Sequence, residues 1–519
     1  MKKIILSAFA LMLGTVMFAQ TNTSTVTQTG TDLFSSALQV GDLNISVQTQ
    51  LGTSNNVWVN QLGTGNEAYQ DQRDGDKSAY QYPNGKINNA TIIQDGTFNK
   101  AWQTQDGEWL DALANQDGNY NESRQVQTGW DNWAEVKQDG DYNMAWQNQH
   151  GKAGLAYITQ YGDHNEATQN QNAGSSYNTA WAYQKGNSNI SFQTQDGNAT
   201  HGEANYNYAG VYQRGNNNYA SQYQDNDLGG AGSANYAKIN VYRGDRNYDV
   251  QTQIGDANYA YIDVYKGDDN YANQFQYGDR NNAYTEQKRA DDNMSRTIQL
   301  GDDNDADTYQ YVDDNYSKTF QLGNRNTSYT KQQGAFFGFF GEGNIALTAQ
   351  IGDDNVSNTI QTGYTNFSGT LQVGNGNTSN TNQGTSWIIP AVSNLSLTAQ
   401  FGNGNTSTTN QDGLLNMSGT LQVGDDNTAL TNQNGMFNMS GTAQFGWNNN
   451  ATTTQDGFFN MSGTLQVGFD NIAMTSQDGT GNFALTSQFG NSHDSTITQI
   501  GTGNMSFVGQ FGGSFVPIF

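Results

Sequence analysis

A hexapeptide pattern, Gln-x-Gly-x-x-Asn, recurs along this chain at a step of eleven residues, which leaves room in each repeat for one short strand and one turn. The longest unbroken run is Gln400-Gly402-Asn405, Gln411-Gly413-Asn416, Gln422-Gly424-Asn427, Gln433-Gly435-Asn438, Gln444-Gly446-Asn449, Gln455-Gly457-Asn460, Gln466-Gly468-Asn471 and Gln477-Gly479-Asn482. The frame is already running at Gln39-Gly41-Asn44 and persists to Gln510-Gly512. Five residues of alternating character separate each Asn from the next Gln, as in Asn416-Met417-Ser418-Gly419-Thr420-Leu421-Gln422, and predict a strand. The Gly-x-x-Asn piece predicts the turn, with Gly supplying positive φ and Asn capping it or tolerating left-handed geometry.

A strand this short cannot bury a face alone. Stacked at the ~4.8 Å strand spacing, successive copies pair every backbone group with the turns above and below. Two units then close one coil, and the expected fold is an all-β solenoid with two short strands per coil of about 22 residues. Roughly forty units give about twenty coils, a stack on the order of 100 Å long at that spacing. The period of two along a strand puts Asn416, Ser418, Thr420 and Gln422 on one face and Met417, Gly419, Leu421 and Val423 on the other. The first set matches its counterparts Asn438, Ser440, Thr442 and Gln444, and Asn460, Ser462, Thr464 and Gln466, far more closely, so it is expected inside. Stacked Asn and Gln would form amide ladders that satisfy buried polar groups and fix register, so that a narrow polar interior replaces an oily core.

Composition fits that reading. Only 34% of the residues are hydrophobic, too few for a conventional core of this length, while 28 Tyr and 24 Phe argue against simple disorder. There is no cysteine, which excludes disulfides, thiolate zinc sites and a cysteine nucleophile. The net charge of −26 disfavours nucleic acid and anionic membranes as partners. The chain opens Met1-Lys2-Lys3, continues through an apolar stretch from Ile4 to Phe18 and reaches Ala19, the pattern of a secretory signal peptide. No later segment approaches the ~20 apolar residues of a membrane span, so the mature chain is expected to be exported without membrane insertion.

The unit Gln61-Leu62-Gly63-Thr64-Gly65-Asn66-Glu67-Ala68-Tyr69-Gln70-Asp71-Gln72, repeated at Gln94-Gly96-Asn99-Ala101-Gln105 and Gln138-Gly140-Asn143-Ala145-Gln149, resembles the repeat of curlins, the subunits of bacterial curli fibres. The resemblance covers nearly all of the mature chain. It implies a β-solenoid that polymerises end to end into extracellular amyloid fibres of the biofilm matrix of a diderm bacterium. Its partners would be further copies of itself, with a nucleator or the outer-membrane secretion machinery at one end, and it would need no cofactor and no metal. The departures are the unusual length, Ser in place of the family's Ala at Ser418, Ser440 and Ser462, and a repeat unit at Gln28-Gly30 where a secretion-targeting segment would be expected. The length keeps a non-polymerising surface adhesin open as an alternative.

The organisation expected along the chain is a leader over 1–19, a less regular Tyr- and Trp-rich array over 20–334, a Phe/Gly-rich insertion over 335–343 and a regular array over 344–519. A second insertion holds Trp387-Ile388-Ile389-Pro390, and Leu228-Gly229-Gly230-Ala231-Gly232 reads as a loop. The two sheets are expected to differ outside. One shows Met417, Leu421, Val423, then Met439, Phe445, then Met461, Leu465, Val467; the other shows Thr406, Thr408, Thr452 and Thr454. Trp58, Tyr80, Trp102 and Trp146, with Arg124 in the same series, are expected as a ladder on the apolar sheet. That sheet reads as a lateral association surface.

Other chemistries fit poorly. His150, His164, His201 and His493 share no metal-ligand spacing. Acidic turns such as Gly301-Asp302-Asp303-Asn304 invite comparison with calcium-binding β-rolls, but the period is wrong and equivalent turns such as Gly435-Met436-Phe437-Asn438 lack acids. A polysaccharide-active β-helix enzyme needs paired carboxylates on a face. Ice binding needs sustained Thr pairs, and Ile472 and Met474 interrupt them. No catalytic residue is expected.

Overall fold

The computed structural model describes residues 21–73, 88–197, 206–226, 234–334, 342–384 and 391–512. The leader, Tyr80, His201, the Leu228–Gly232 loop, the Trp387–Pro390 insertion, the heart of the 335–343 insertion and the chain after Gly512 lie outside the described residues. The rest contains strands and turns and no helix. The chain divides into two compact units, Met1–Ala145 and Trp146–Phe519. Both are β-solenoids, and with two strands per turn the 42 strands make about twenty turns.

In the first unit, Thr23–Thr31, Ile45–Thr53, Glu67–Arg73, Lys100–Glu108 and Glu122–Trp130 pair in parallel as one sheet. Phe34–Val40, Asn56–Thr64, Asn89–Thr97, Asp111–Asn119 and Trp133–Asp139 form the other. The second unit repeats the arrangement with unbroken register, for example Gln400↔Gln422, Gln422↔Gln444 and Gln444↔Gln466 on one sheet and Gln411↔Gln433 and Gln433↔Gln455 on the other. The faces follow the two-residue period: Asn416, Ser418, Thr420 and Gln422 are buried, while Met417 is 40% exposed.

The turn glycines take the positive φ expected of them, 117° at Gly424 and 111° at Gly457, but Asn is not the left-handed residue. The left-handed residue is the one before Asn: Leu415, Asp426, Phe437 and Phe459 have φ of 56°, 56°, 60° and 57°. Asn is freed to bond between turns. Gly is required twice over. Its φ is +112° at Gly435, and a Cβ there would fall on the carbonyl oxygen of Gly457 in the next turn, inside van der Waals contact.

The interior is not polar throughout. Val59, Ala68, Ile92, Ala101 and Ala114 form an apolar cluster in the first unit, and Val211, Ala220, Ile239, Val241, Ile262, Val264 and Ala272 another in the second. Val241 and Val264 stand in the Gln column itself, between Gln213 and Gln287. The amide ladder is thus interrupted by hydrophobic burial where neighbouring turns change together: Val241 and Val264 pack on each other, and the break leaves the buried Gln287 Oε1 without a hydrogen-bond partner.

Candidate functional site: amide ladders and an uncharged face

Where a column carries Gln in successive turns, each donates from Nε2 to Oε1 of the Gln one turn later. Gln400, Gln422, Gln444 and Gln466 do so to Gln422, Gln444, Gln466 and Gln488 at 2.8, 2.9, 2.8 and 2.9 Å. Gln411, Gln433 and Gln455 do the same to Gln433, Gln455 and Gln477 on the opposite sheet, each at 2.8 Å. In the first unit Gln61 donates to Gln94 at 2.9 Å and Gln72 to Gln105 at 2.7 Å. Each Nε2 also ties the sheets across the turn: Gln422 reaches the carbonyls of Asn427 and Thr406, both at 2.9 Å.

The Asn positions form a second ladder against the backbone. Oδ1 of Asn405 accepts from the backbone N–H of Asn427 at 3.1 Å, and Nδ2 of Asn427 donates to the carbonyl of Gly446 at 2.8 Å. Asn416, Asn438 and Asn460 repeat this on the other edge, with the N–H of Asn438 and Asn460 donating to Asn416 and Asn438 at 3.1 Å. Asn449 and Asn471 continue the first edge, and Asn66 accepts from the N–H of Asn99 at 2.9 Å. Orphan turn donors are therefore satisfied by the next turn, and register is fixed by side chains as well as by the sheet.

The turn acids have a comparable structural task. Asp279 and Asp302 accept through Oδ1 from the backbone N–H of Asp256 and Asp279 at 2.9 Å, and Asn324 serves Asp302 in the same way. Asn and Asp substitute freely because only one side-chain oxygen is used. Arg280–Asp303 and Arg325–Asp354, each 2.7 Å, are exposed pairs between adjacent turns.

On the outer faces, Met417, Met439 and Met461 stack in register, as do Leu421 and Leu465 on either side of Ala443, and Val423, Phe445 and Val467. The aromatic ladder of the first unit departs from the sequence expectation. Trp102 pairs with Tyr69 below and Arg124 above on one sheet, and the Tyr69 and Trp102 rings stack 6.0 Å apart. Trp58 lies on the opposite sheet, opposite Thr91. The cause is arithmetic: the pairing step is 33 residues across 74–87, as in Gln70 to Gln103, rather than 22. The extra eleven residues keep the sequence frame, and counting units across them assigns Trp58 to the wrong sheet. Trp146 is half-buried on the strand Met144–Lys152, and Tyr80 lies outside the described residues.

The repeat pattern did not single out the Tyr ladders of the second unit. Tyr208, Tyr236 and Tyr259 stack with ring separations of 4.9 and 5.0 Å, and Tyr219, Tyr248 and Tyr271 with 4.5 and 5.4 Å. The available signal was Asn-Tyr, recurring at the residue after the turn Asn, as in Asn247-Tyr248 and Asn270-Tyr271.

Residues 468–501 and 479–512 match the family model of the curlin associated repeat. No curated protein matches the chain.

Proposed function

We propose, taking the curlin repeats at 468–512 as premise, that this chain is a secreted, non-enzymatic structural protein that adds end to end into curli-like fibres of the extracellular matrix and so contributes to adhesion. The observation that carries the reading is the single direction of the Gln ladders. At the C-terminal side Gln488 donates to Gln510, whose own Nε2 reaches only the carbonyl of Asp494 among the described residues. At the N-terminal side Gln28 and Gln39 donate upward to Gln50 and Gln61, which leaves their acceptor oxygens facing the open end. The strand Thr23–Thr31 is exposed along its whole length. A donor row and an acceptor row, each beside a strand with one unpaired edge, suit head-to-tail addition that continues both the backbone and the amide ladders.

The test is to incubate the purified leaderless chain and follow thioflavin fluorescence and X-ray scattering. Growth with ~4.7 and ~10 Å cross-β reflections is expected. A chain that stays monomeric for days overturns the fibre reading and supports the single-molecule adhesin.

A further inference from the structure

Eight successive strands of one sheet of the second unit, Ile345–Ile351, Phe367–Val373, Leu395–Phe401, Met417–Val423, Met439–Trp447, Met461–Phe469, Phe483–Asn491 and Met505–Gly512, contain no Asp, Glu, Lys or Arg. The opposite sheet carries Asp412, Asp456, Asp478 and Asp494, and the turns between carry Asp425, Asp426 and Asp470. On a chain of net charge −26, this face is where two copies meet without opposing carboxylates. At the usual strand spacing and rise it measures roughly 38 by 23 Å, about 870 Å². A stable interface takes about 800 Å² from each partner.

The relief of the face specifies how a second copy would sit. Along its middle runs a groove of about 940 Å³, floored by Gly419, Gly441 and Gly463. In most turns the residue two places on compensates in size, while the turn of Gly441 and Ala443 is small at both positions. Leu397 is followed by Ala399, Gly419 by Leu421 and Gly463 by Leu465. Leu485 is again followed by a small residue, Ser487. A half-turn rotation about an axis in the face and along the stacking direction keeps both stacks pointing the same way and reverses the strands. Each turn then meets itself, with the first outward column opposite the fourth and the second opposite the third. Leu421 of one copy enters the groove at Gly419 of the other, Leu397 meets Ala399, and the Met417 ridge meets Val423. Large faces small where Leu421 meets Gly419 and Leu397 meets Ala399, the relief that close packing across an apolar interface needs.

We propose that this uncharged face pairs with the same face of a second copy, stacks parallel, with Leu421 and Leu465 seated in the partner's glycine groove. The pairing deepens the fibre reading by supplying its lateral contact, and parallel stacks are the arrangement in which two growing ladders elongate side by side in one direction.

The chain has no cysteine, so engineered thiols report the geometry directly. Gly441→Cys and Ala443→Cys chains, mixed and oxidised, are expected to give a covalent heterodimer, while neither variant alone does. Covalent homodimers of Gly441→Cys, which antiparallel stacks would give, or no covalent dimer at all, overturn the proposal. Gly419→Leu, added to both thiol variants, opposes Leu to Leu and is expected to cut the heterodimer yield on the order of tenfold. A Cβ at Gly419 meets nothing within 4 Å of its own chain, so the solenoid itself accepts the change. Swapping knob and hole, Gly419→Leu with Leu421→Ala, is expected to restore pairing between swapped copies but not with unswapped ones. Undiminished yield from the Gly419→Leu pair refutes the fit. Fibre length is scored separately: elongation without cross-linking sinks the lateral pairing alone, and cross-linking without elongation sinks the end-to-end reading alone.

Discussion

Gly435→Ala is expected to lower the stability of the second unit by about 3 kcal/mol or more, because two independent costs coincide at one residue. Its φ of +112° is strained for any side chain, typically by about 1–3 kcal/mol. The added methyl also collides with the carbonyl of Gly457, a backbone atom held by the Asn438 amide at 3.0 Å and unable to swing aside. Relief requires separating two turns, which breaks the Asn ladder on that edge. Gly441→Ala is the matched control: its φ is not left-handed and a Cβ there meets nothing within 4 Å, so its effect should stay within about 0.5 kcal/mol. Hydrogen exchange is the better measurement, since solenoid turns open locally rather than all at once. Protection should fall around Gly413–Gly457 in the first variant and be retained in the second. Equal protection in both would show that the turn spacing is looser than described.

Asp249→Ala is expected to stabilise the second unit by about 2–3 kcal/mol at pH 7. Asp249 stands at an inward position between Ala220 and Ala272, is fully buried, and neither carboxylate oxygen has a hydrogen-bond partner. Burial pushes its carboxyl well above the usual carboxylate range. The unfolded chain releases its proton near pH ~4 and the folded chain only at higher pH. The native protein therefore loses stability as pH rises from about 4 to the raised folded value, and the penalty is constant above it. The gain from the substitution should be largest at neutral pH and shrink towards pH 4. Thermal unfolding at several pH values measures it, and a gain independent of pH would mean that the Asp249 carboxyl ionises alike in the folded and the unfolded chain.

The legible part of this molecule is what the eleven-residue frame repeats. Gln422 and Asn427 sit in buried columns because identical amides at identical positions leave one economical arrangement, and the two-residue period settles which face they share with Ser418 and Thr420. The left-handed turn position was not legible, because Leu415, Phe437 and Phe459 carry no preference for it. They adopt that geometry because the bonds of the neighbouring Asn impose it. Trp58 was misplaced for a different reason: a spacing that keeps the frame looks continuous in sequence even where the pairing step lengthens to 33 residues. Val241 and Val264 were hidden by the same regularity, since two valines in a long Gln column read as noise until neighbouring turns are seen to pack them together.

The step of 33 residues across 74–87 also bears on heredity. A gene made of eleven-residue blocks lengthens easily by duplication, but each block belongs to one of two sheets and the allegiance alternates. Copying two blocks adds a turn and leaves every downstream residue on its former side. Copying one exchanges the sides for the whole remainder of the chain, placing acidic surface where uncharged surface was. The first unit holds such an odd spacing, and its two sheets still pair in register on either side of it, Gln70 with Gln103 and Gln61 with Gln94. Inherited changes in length are thus quantised in pairs wherever the sidedness of a face matters.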